Sequence, residues 1–107
     1  MELMQYQVVL VNLDPTIGSD MKKTRPCIII SPDEMNRYLQ TIVIAPVTSQ
    51  TKPYPTRVEI KYNRILGWIV LDQIRTVDKR RIIKVLSSLS EKEISKTKAI
   101  IRETYVE

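Results

Sequence analysis

A chain of 107 residues with 43% hydrophobic and 27% charged residues has the composition of a folded globular domain, which excludes a disordered chain. Its net charge of +5 and pI near 9.5 suit a polyanion, an acidic protein partner, or nothing beyond solubility. Histidine is absent and Cys27 is the sole cysteine, which excludes histidine triads, an intrachain disulfide and a Cys/His metal site, so no metal or other cofactor is expected.

The N-terminal "MELMQYQ" lacks the basic start and apolar stretch of a secretory signal. The longest apolar runs, such as Cys27 to Ile30 and Trp68 to Leu71, are too short to span a bilayer. A cytoplasmic protein with no membrane contact is expected. The first strand is "QVVLVNL" (7–13), followed by the turn-rich "DPTIGSD" and the basic "MKKT". A second strand, "PCIIIS" (26–31), begins behind Arg25. Ser31-Pro32-Asp33-Glu34 reads as a capping box with proline at the first helical position, predicting a short helix to about Leu39. Further strands are "TIVIAPVT" (41–48), "TRVEI" (56–60), "GWIVLD" (67–72) and "RIIKVL" (81–86), separated by "SQTKPYP" and "KYNR". Ser90 to Glu93 repeats the capping pattern, and Ile94, Thr97, Ile101 and Tyr105 form one stripe at helical spacing, read as core contact. The fold class is therefore mainly β with short helices (β+α): a small, mostly antiparallel barrel with a C-terminal helix, as one domain over residues 1–107.

Arg25 precedes a proline, so its backbone is extended and its side chain is aimed by the strand it begins. If strands 26–31 and 41–48 are antiparallel neighbours with Ser31 opposite Ile42, Ile29 faces Ile44, Cys27 faces Pro46 and Arg25 faces Thr48. Opposed residues share a face, about 5 Å apart at Cβ. A guanidinium and a hydroxyl then meet at one polar, basic rim of the barrel. Pro46 cannot donate to a central ladder and marks an edge or bulge beside that rim. A planar guanidinium grips phosphate through two parallel hydrogen bonds, and a threonine hydroxyl serves a further oxygen. The pair is a phosphate-binding candidate.

The stretches "VVLVNLDPTIGSDMKKTRPCIIIS", "VIAPVTSQ" and "GWIVLDQIRTVDKRRI", in this order and spacing, resemble the MazF/PemK/Kid family of bacterial toxins. The resemblance implies an SH3-like barrel that forms a homodimer, cleaves single-stranded RNA at short sequences, and is inhibited by a cognate antitoxin whose acidic, apolar tail covers the RNA groove. Carried over by motif, the catalytic residues are Arg25 in Thr-Arg-Pro and Thr48 in Val-Thr-Ser. The loop from Thr16 to Thr24 is the implied flap over RNA, bringing Ser19, Lys22, Lys23 and Thr24 to the substrate. Ser49, Gln50, Asp72 and Gln73 are implied to line the groove, and Tyr54 to contact bases. Some members carry a histidine where this chain has Ser19, and one branch an arginine where it has Val70; schemes built on those groups do not apply. The implied reaction is metal-independent transesterification: the ribose 2′-hydroxyl attacks phosphorus, giving a 2′,3′-cyclic phosphate and a 5′-hydroxyl. Asp72 is the one nearby candidate for a base.

Two other readings fit the fold: a non-catalytic RNA-binding barrel, and a gyrase-poisoning toxin of the same architecture. The Thr-Arg-Pro and Val-Thr-Ser-Gln pair favours the ribonuclease. Trp68 within an apolar strand reads as core or interface ahead of a base-stacking surface, "DKRR" (78–81) as a strand-entry turn or an RNA contact, and Cys27 as a small buried hydrophobe.

Overall fold

The computed structural model describes residues 2–13, 24–50 and 54–106. Its seven strands are β1 (Gln7–Asn12), β2 (Thr24–Ile29), β3 (Thr41–Thr48), β4 (Arg57–Tyr62), β5 (Ile65–Val70), β6 (Arg75–Asp78) and β7 (Ile82–Ser88). They form one antiparallel sheet in the order β4-β5-β3-β2-β1-β7, with β6 also paired to β3. Two helices, α1 (Asp33–Tyr38) and α2 (Glu91–Ile101), complete a mainly β fold.

The Val/Ile runs are strands because alternate residues feed two different clusters. Val9, Val11, Cys27, Ile29, Ile42, Ile44, Val77 and Ile82, from β1, β2, β3, β6 and β7, make one. Val8, Ile28, Ala45 and Val47, from the other face of the same strands, pack against Val58, Ile60 and Ile69 of the β4–β5 hairpin and against Ile94 and Ile100 of α2. The central strands are thus buried on both faces, which is why β1 reads as a nearly unbroken apolar run. Each fully buried Val or Ile contributes roughly 1.5–3 kcal/mol.

The β2–β3 ladder has the expected register, with Cys27 opposite Pro46, Ile28 opposite Ala45 and Ile29 opposite Ile44. Pro46 is not at an edge; β3 is central, and the proline stands where β3 exchanges one neighbour for another. Residues Thr41 to Ile44 pair with β6, whereas Val47 and Thr48 pair with β5. The Val43 carbonyl accepts Ile30 N–H on the β2 side, so by the two-residue alternation Pro46 faces the gap between β5 and β6. The missing N–H is placed where no ladder partner stands.

Three local expectations are corrected. The segment 75–78, to which the sequence assigns no strand, is β6, whose one buried side chain, Val77, carries little apolar signal. Ser31 does not cap α1: Pro32 occupies the N-cap position without a side-chain cap bond. The Ser31 hydroxyl instead donates to Asn36 Oδ1 and accepts Val43 N–H at 3.0 Å, tying α1 to β3 as a buried polar knot. The third correction is the extent of the hairpin, whose strands run on to Tyr62 and start again at Ile65. Asn63 and Arg64, both with positive φ (46° and 66°), form the two-residue turn whose twist suits such a hairpin.

At the second capping site the expectation holds. Glu93 N–H donates to Ser90 Oγ at 3.2 Å and Ser90 N–H donates to Glu93 Oε1 at 2.8 Å. The other carboxylate oxygen, Oε2, accepts Lys61 N–H at 2.8 Å, so one side chain starts α2 and fastens it to β4. Along α2 Thr97 is fully buried, Ile94 and Ile101 are half-buried, and the hydroxyl of Tyr105 beyond it donates to the Leu71 carbonyl at 2.5 Å.

Candidate functional site

Where β3 exchanges β6 for β5 beside Pro46, a cavity of about 220 Å³ opens, lined by Arg25, Pro46, Thr48, Gln50, Arg57, Val70 and Gln73. The strand register explains the convergence. Arg25 lies two residues before Cys27 on β2 and Thr48 two residues after Pro46 on β3, so both continue the Cys27–Pro46 pair on one face. Thr48 lies opposite Trp68 on β5, and Val70 lies opposite Arg57 on β4. Four strands therefore contribute to one lining.

Among the described residues the lining holds two guanidiniums and no carboxylate. Among the described residues neither Arg25 nor Arg57 makes an ion pair; the pair that does form is Arg80 with Asp78, at 3.1 Å on the surface. Cys27 lies beneath this face, where burial pushes its thiol up to about 12 while the Arg25 and Arg75 guanidiniums pull it down. Arg75, opposite Ile44 on β6, thus adds a third positive charge near the same face. Nearby cations without counter-ions produce a potential that concentrates anions.

Thr48 is held by its own loop. Its Oγ1 accepts Gln50 N–H at 3.2 Å, which leaves the hydroxyl proton to donate elsewhere. Gln50 and Gln73 bring amide groups to the cavity wall. Asp72 and Ser49 are exposed but do not line this cavity, and Asp72 Oδ1 accepts the Thr56 hydroxyl at 2.9 Å. Tyr54 is 53% exposed, with the Arg57 guanidinium 5.1 Å from its ring centroid. Thr24 pairs with Asn12 at the start of β2. Ser19, Lys22 and Lys23 lie outside the described residues. Trp68 is half-buried and shares the face of Thr48, rather than joining either apolar cluster.

Arg57 escaped the sequence reading. In "TRVEI" it occupies the polar phase of an alternating strand, which ordinarily means a solvated side chain. No signal in the sequence marked it out: only the β4–β5 ladder, which sets it opposite Val70, turns it toward the cavity.

A curled antiparallel half-barrel with two unpaired guanidiniums and a poised hydroxyl at one rim defines a small basic-cleft protein suited to an anionic group. A family model described as "PemK-like, MazF-like toxin of type II toxin-antitoxin system" matches residues 4–105, and the chain belongs to that family. It is 37% identical over 93 residues to the endoribonuclease MazF of Staphylococcus saprophyticus, covering 81% of this chain and 78% of that protein. The endoribonuclease MazF of Staphylococcus epidermidis matches to the same extent, at 37% identity over 93 residues. Among solved structures, the MazE-MazF complex of Deinococcus radiodurans in its third crystal form aligns with a TM-score of 0.80 at 23% identity, covering 96% of this chain and 95% of that one. A mycobacterial endoribonuclease in complex with its cognate antitoxin aligns with a TM-score of 0.77 at 19% identity, over 95% and 91% of the two chains. At these identities the structural likeness concerns the fold.

Proposed function

We propose that this chain is an endoribonuclease toxin, neutralised by a cognate antitoxin, that cleaves single-stranded RNA by attack of the ribose 2′-hydroxyl on the adjacent phosphorus. The observation that carries this reading is the convergence of Arg25 and Thr48 on one cavity, whose described lining holds two guanidiniums and no carboxylate. In the reaction the 2′-oxygen bonds to phosphorus, the bond from phosphorus to the 5′-oxygen breaks, and a 2′,3′-cyclic phosphate and a 5′-hydroxyl result. The proton leaves the 2′-oxygen and one is gained by the 5′-oxygen, both exchanged through solvent. Negative charge grows on the non-bridging oxygens, where Arg25 stabilises it, a class of effect worth about 3–4 kcal/mol per donor. Thr48, with its oxygen already accepting Gln50 N–H, donates to a phosphate oxygen. Arginine stays protonated and is no base, so positioning and electrostatics carry the rate.

Thr24, Ser49, Gln50, Tyr54 and Gln73, together with Ser19, Lys22 and Lys23, extend the RNA contact beyond the scissile phosphate. Asp72, held by Thr56, supports the groove wall. The chain works as a homodimer in the cytoplasm. Met4, Met35, Tyr38 and Leu39 are exposed where the N-terminal segment meets α1, with Gln5 N–H donating to Asp33 Oδ1 at 2.7 Å, and they offer a second copy an apolar surface. Metal independence is part of the same proposal, and the chelator experiment below tests it.

The test is an RNA carrying one deoxyribose immediately 5′ of the cleaved bond. Cleavage there should stop while binding persists, because the attacking oxygen alone is missing. A chelator should leave cleavage of the unmodified RNA unchanged. Continued cleavage of the substituted bond would demand an external nucleophile and reject the mechanism.

A further inference from the structure

Arg57 is unexplained as a structural arginine. Among the described residues, its buried Nε has no hydrogen-bond partner and its guanidinium pairs with no carboxylate. Withdrawing that one N–H from water without a partner is costly and calls for a reason, although the residue as a whole is only half-buried. The surroundings do not supply one. The ring of Tyr54, 5.1 Å from the guanidinium carbon, gives a stacking surface but no acceptor for the N–H groups.

Its placement is nevertheless fixed from several sides. Arg57 N–H donates to the Tyr54 carbonyl at 3.1 Å, and Leu71 N–H donates to the Thr56 carbonyl at 3.1 Å. The Thr56 hydroxyl donates to Asp72 at 2.9 Å, so the residue before Arg57 is tied to the turn after β5 by backbone and side chain. The ladder then sets Arg57 against Val70, whose side chain forms the wall of the Arg25–Thr48 cavity. A cavity of about 220 Å³ has room for a phosphodiester group and a few waters, at roughly 30 Å³ per water. Two guanidiniums lining so small a space repel each other unless an anion lies between them.

We propose that Arg57 is a second catalytic guanidinium, gripping the same RNA phosphoryl group as Arg25 from the opposite wall of the cavity. The inference rests on the ribonuclease reading above. As the 2′-oxygen attacks, both non-bridging oxygens gain charge, and each arginine takes one. No group changes its bonding other than those of the transesterification itself. Because the charge is greatest in the transition state, Arg57 acts on the rate of the bound complex more than on its formation.

The experiment measures single-turnover cleavage of a defined RNA by Arg57→Ala, Arg57→Gln and Arg57→Lys, beside Arg25→Ala and Thr48→Ala, with circular dichroism to verify folding. Each Arg57 variant should lose on the order of a hundredfold or more in rate at saturating RNA, with half-saturation little changed. Arg57→Lys should not recover the rate, since a point charge lacks the planar fork. Arg57→Gln is shorter but keeps a planar, hydrogen-bonding group and part of the stem, so a folded variant is in hand even if the alanine variant is unstable. A second readout uses RNA with sulfur replacing either non-bridging oxygen at the cleaved bond. Wild type should be slowed by both replacements, and the Arg57 variants should lose the slowing for one of them. Full rate in the Arg57 variants, an effect confined to half-saturation, or an unaltered sulfur pattern would each overturn the proposal while leaving the ribonuclease reading intact. Undiminished cleavage by Arg25→Ala and Thr48→Ala would instead overturn the reading beneath it, and this proposal with it.

Discussion

Cys27 and Arg25 share a face of β2, and their contrast shows how burial decides chemistry within two residues. The thiol is fully buried, and burial pushes it from its ordinary 9.0 up to about 12, outweighing the pull of Arg25 and Arg75. An unfolded thiol ionises near its ordinary value whereas the folded one stays protonated. The resulting contribution to stability is full below about pH 9 and declines as pH rises toward about 12. At pH 8 the native protein should resist alkylation by iodoacetamide and react fully in denaturant, as mass spectrometry would report. Rapid native labelling would show the strand opening far more than its packing allows. The Arg25–Thr48 juxtaposition was legible in sequence because one pairing of two apolar strands fixes every later pair. Arg57 was not, since its orientation depends on a third strand pair, β4 with β5, that no local pattern announces.

Among the elements, β3 carries the greatest burden, pairing with β2 along one side and with both β5 and β6 along the other. Gly67 on β5 lets this happen at close range. A Cβ there would stand 2.7 Å from Val47 Cγ1 and 3.4 Å from the Thr48 carbonyl. Val47 is buried in the core and has little room to turn, so Gly67→Ala should cost about 1–3 kcal/mol by overpacking. Because β5 must shift to relieve the contact, cleavage should fall as well. Urea unfolding followed by circular dichroism measures the first effect, and an unchanged midpoint would mean that Val47 repacks freely. The elements misread from sequence share one cause. Ser31 carries the residue type of a cap, yet its hydroxyl serves Asn36 and Val43, partners set by tertiary packing. The short β6 owes its strand state to β3 alongside it rather than to its own composition.

For the whole molecule, positive charge governs association. RNA binding should weaken steeply with added salt, since each phosphate neutralised releases counterions with a slope near −0.7 for single strands. An acidic antitoxin segment laid over the Arg25–Thr48 cavity should compete with RNA directly. Fluorescence anisotropy of a labelled RNA, titrated with antitoxin at two salt concentrations, tests both expectations. If RNA affinity survived saturating antitoxin, the two ligands would occupy different surfaces.

The Glu93 carboxylate has a consequence beyond starting α2. β4 ends the strand order on its side of the sheet, and an outermost strand offers its free backbone groups to any other extended chain. Here Lys61 N–H is already taken by Glu93, Arg57 N–H by the Tyr54 carbonyl, and the position between them carries the charged Glu59. α2 packs its isoleucines alongside. One glutamate therefore acts as a stopper against templated strand addition, and losing it would free a helix start and a sticky margin together. Self-association, not slower chemistry, is the fate that margin invites.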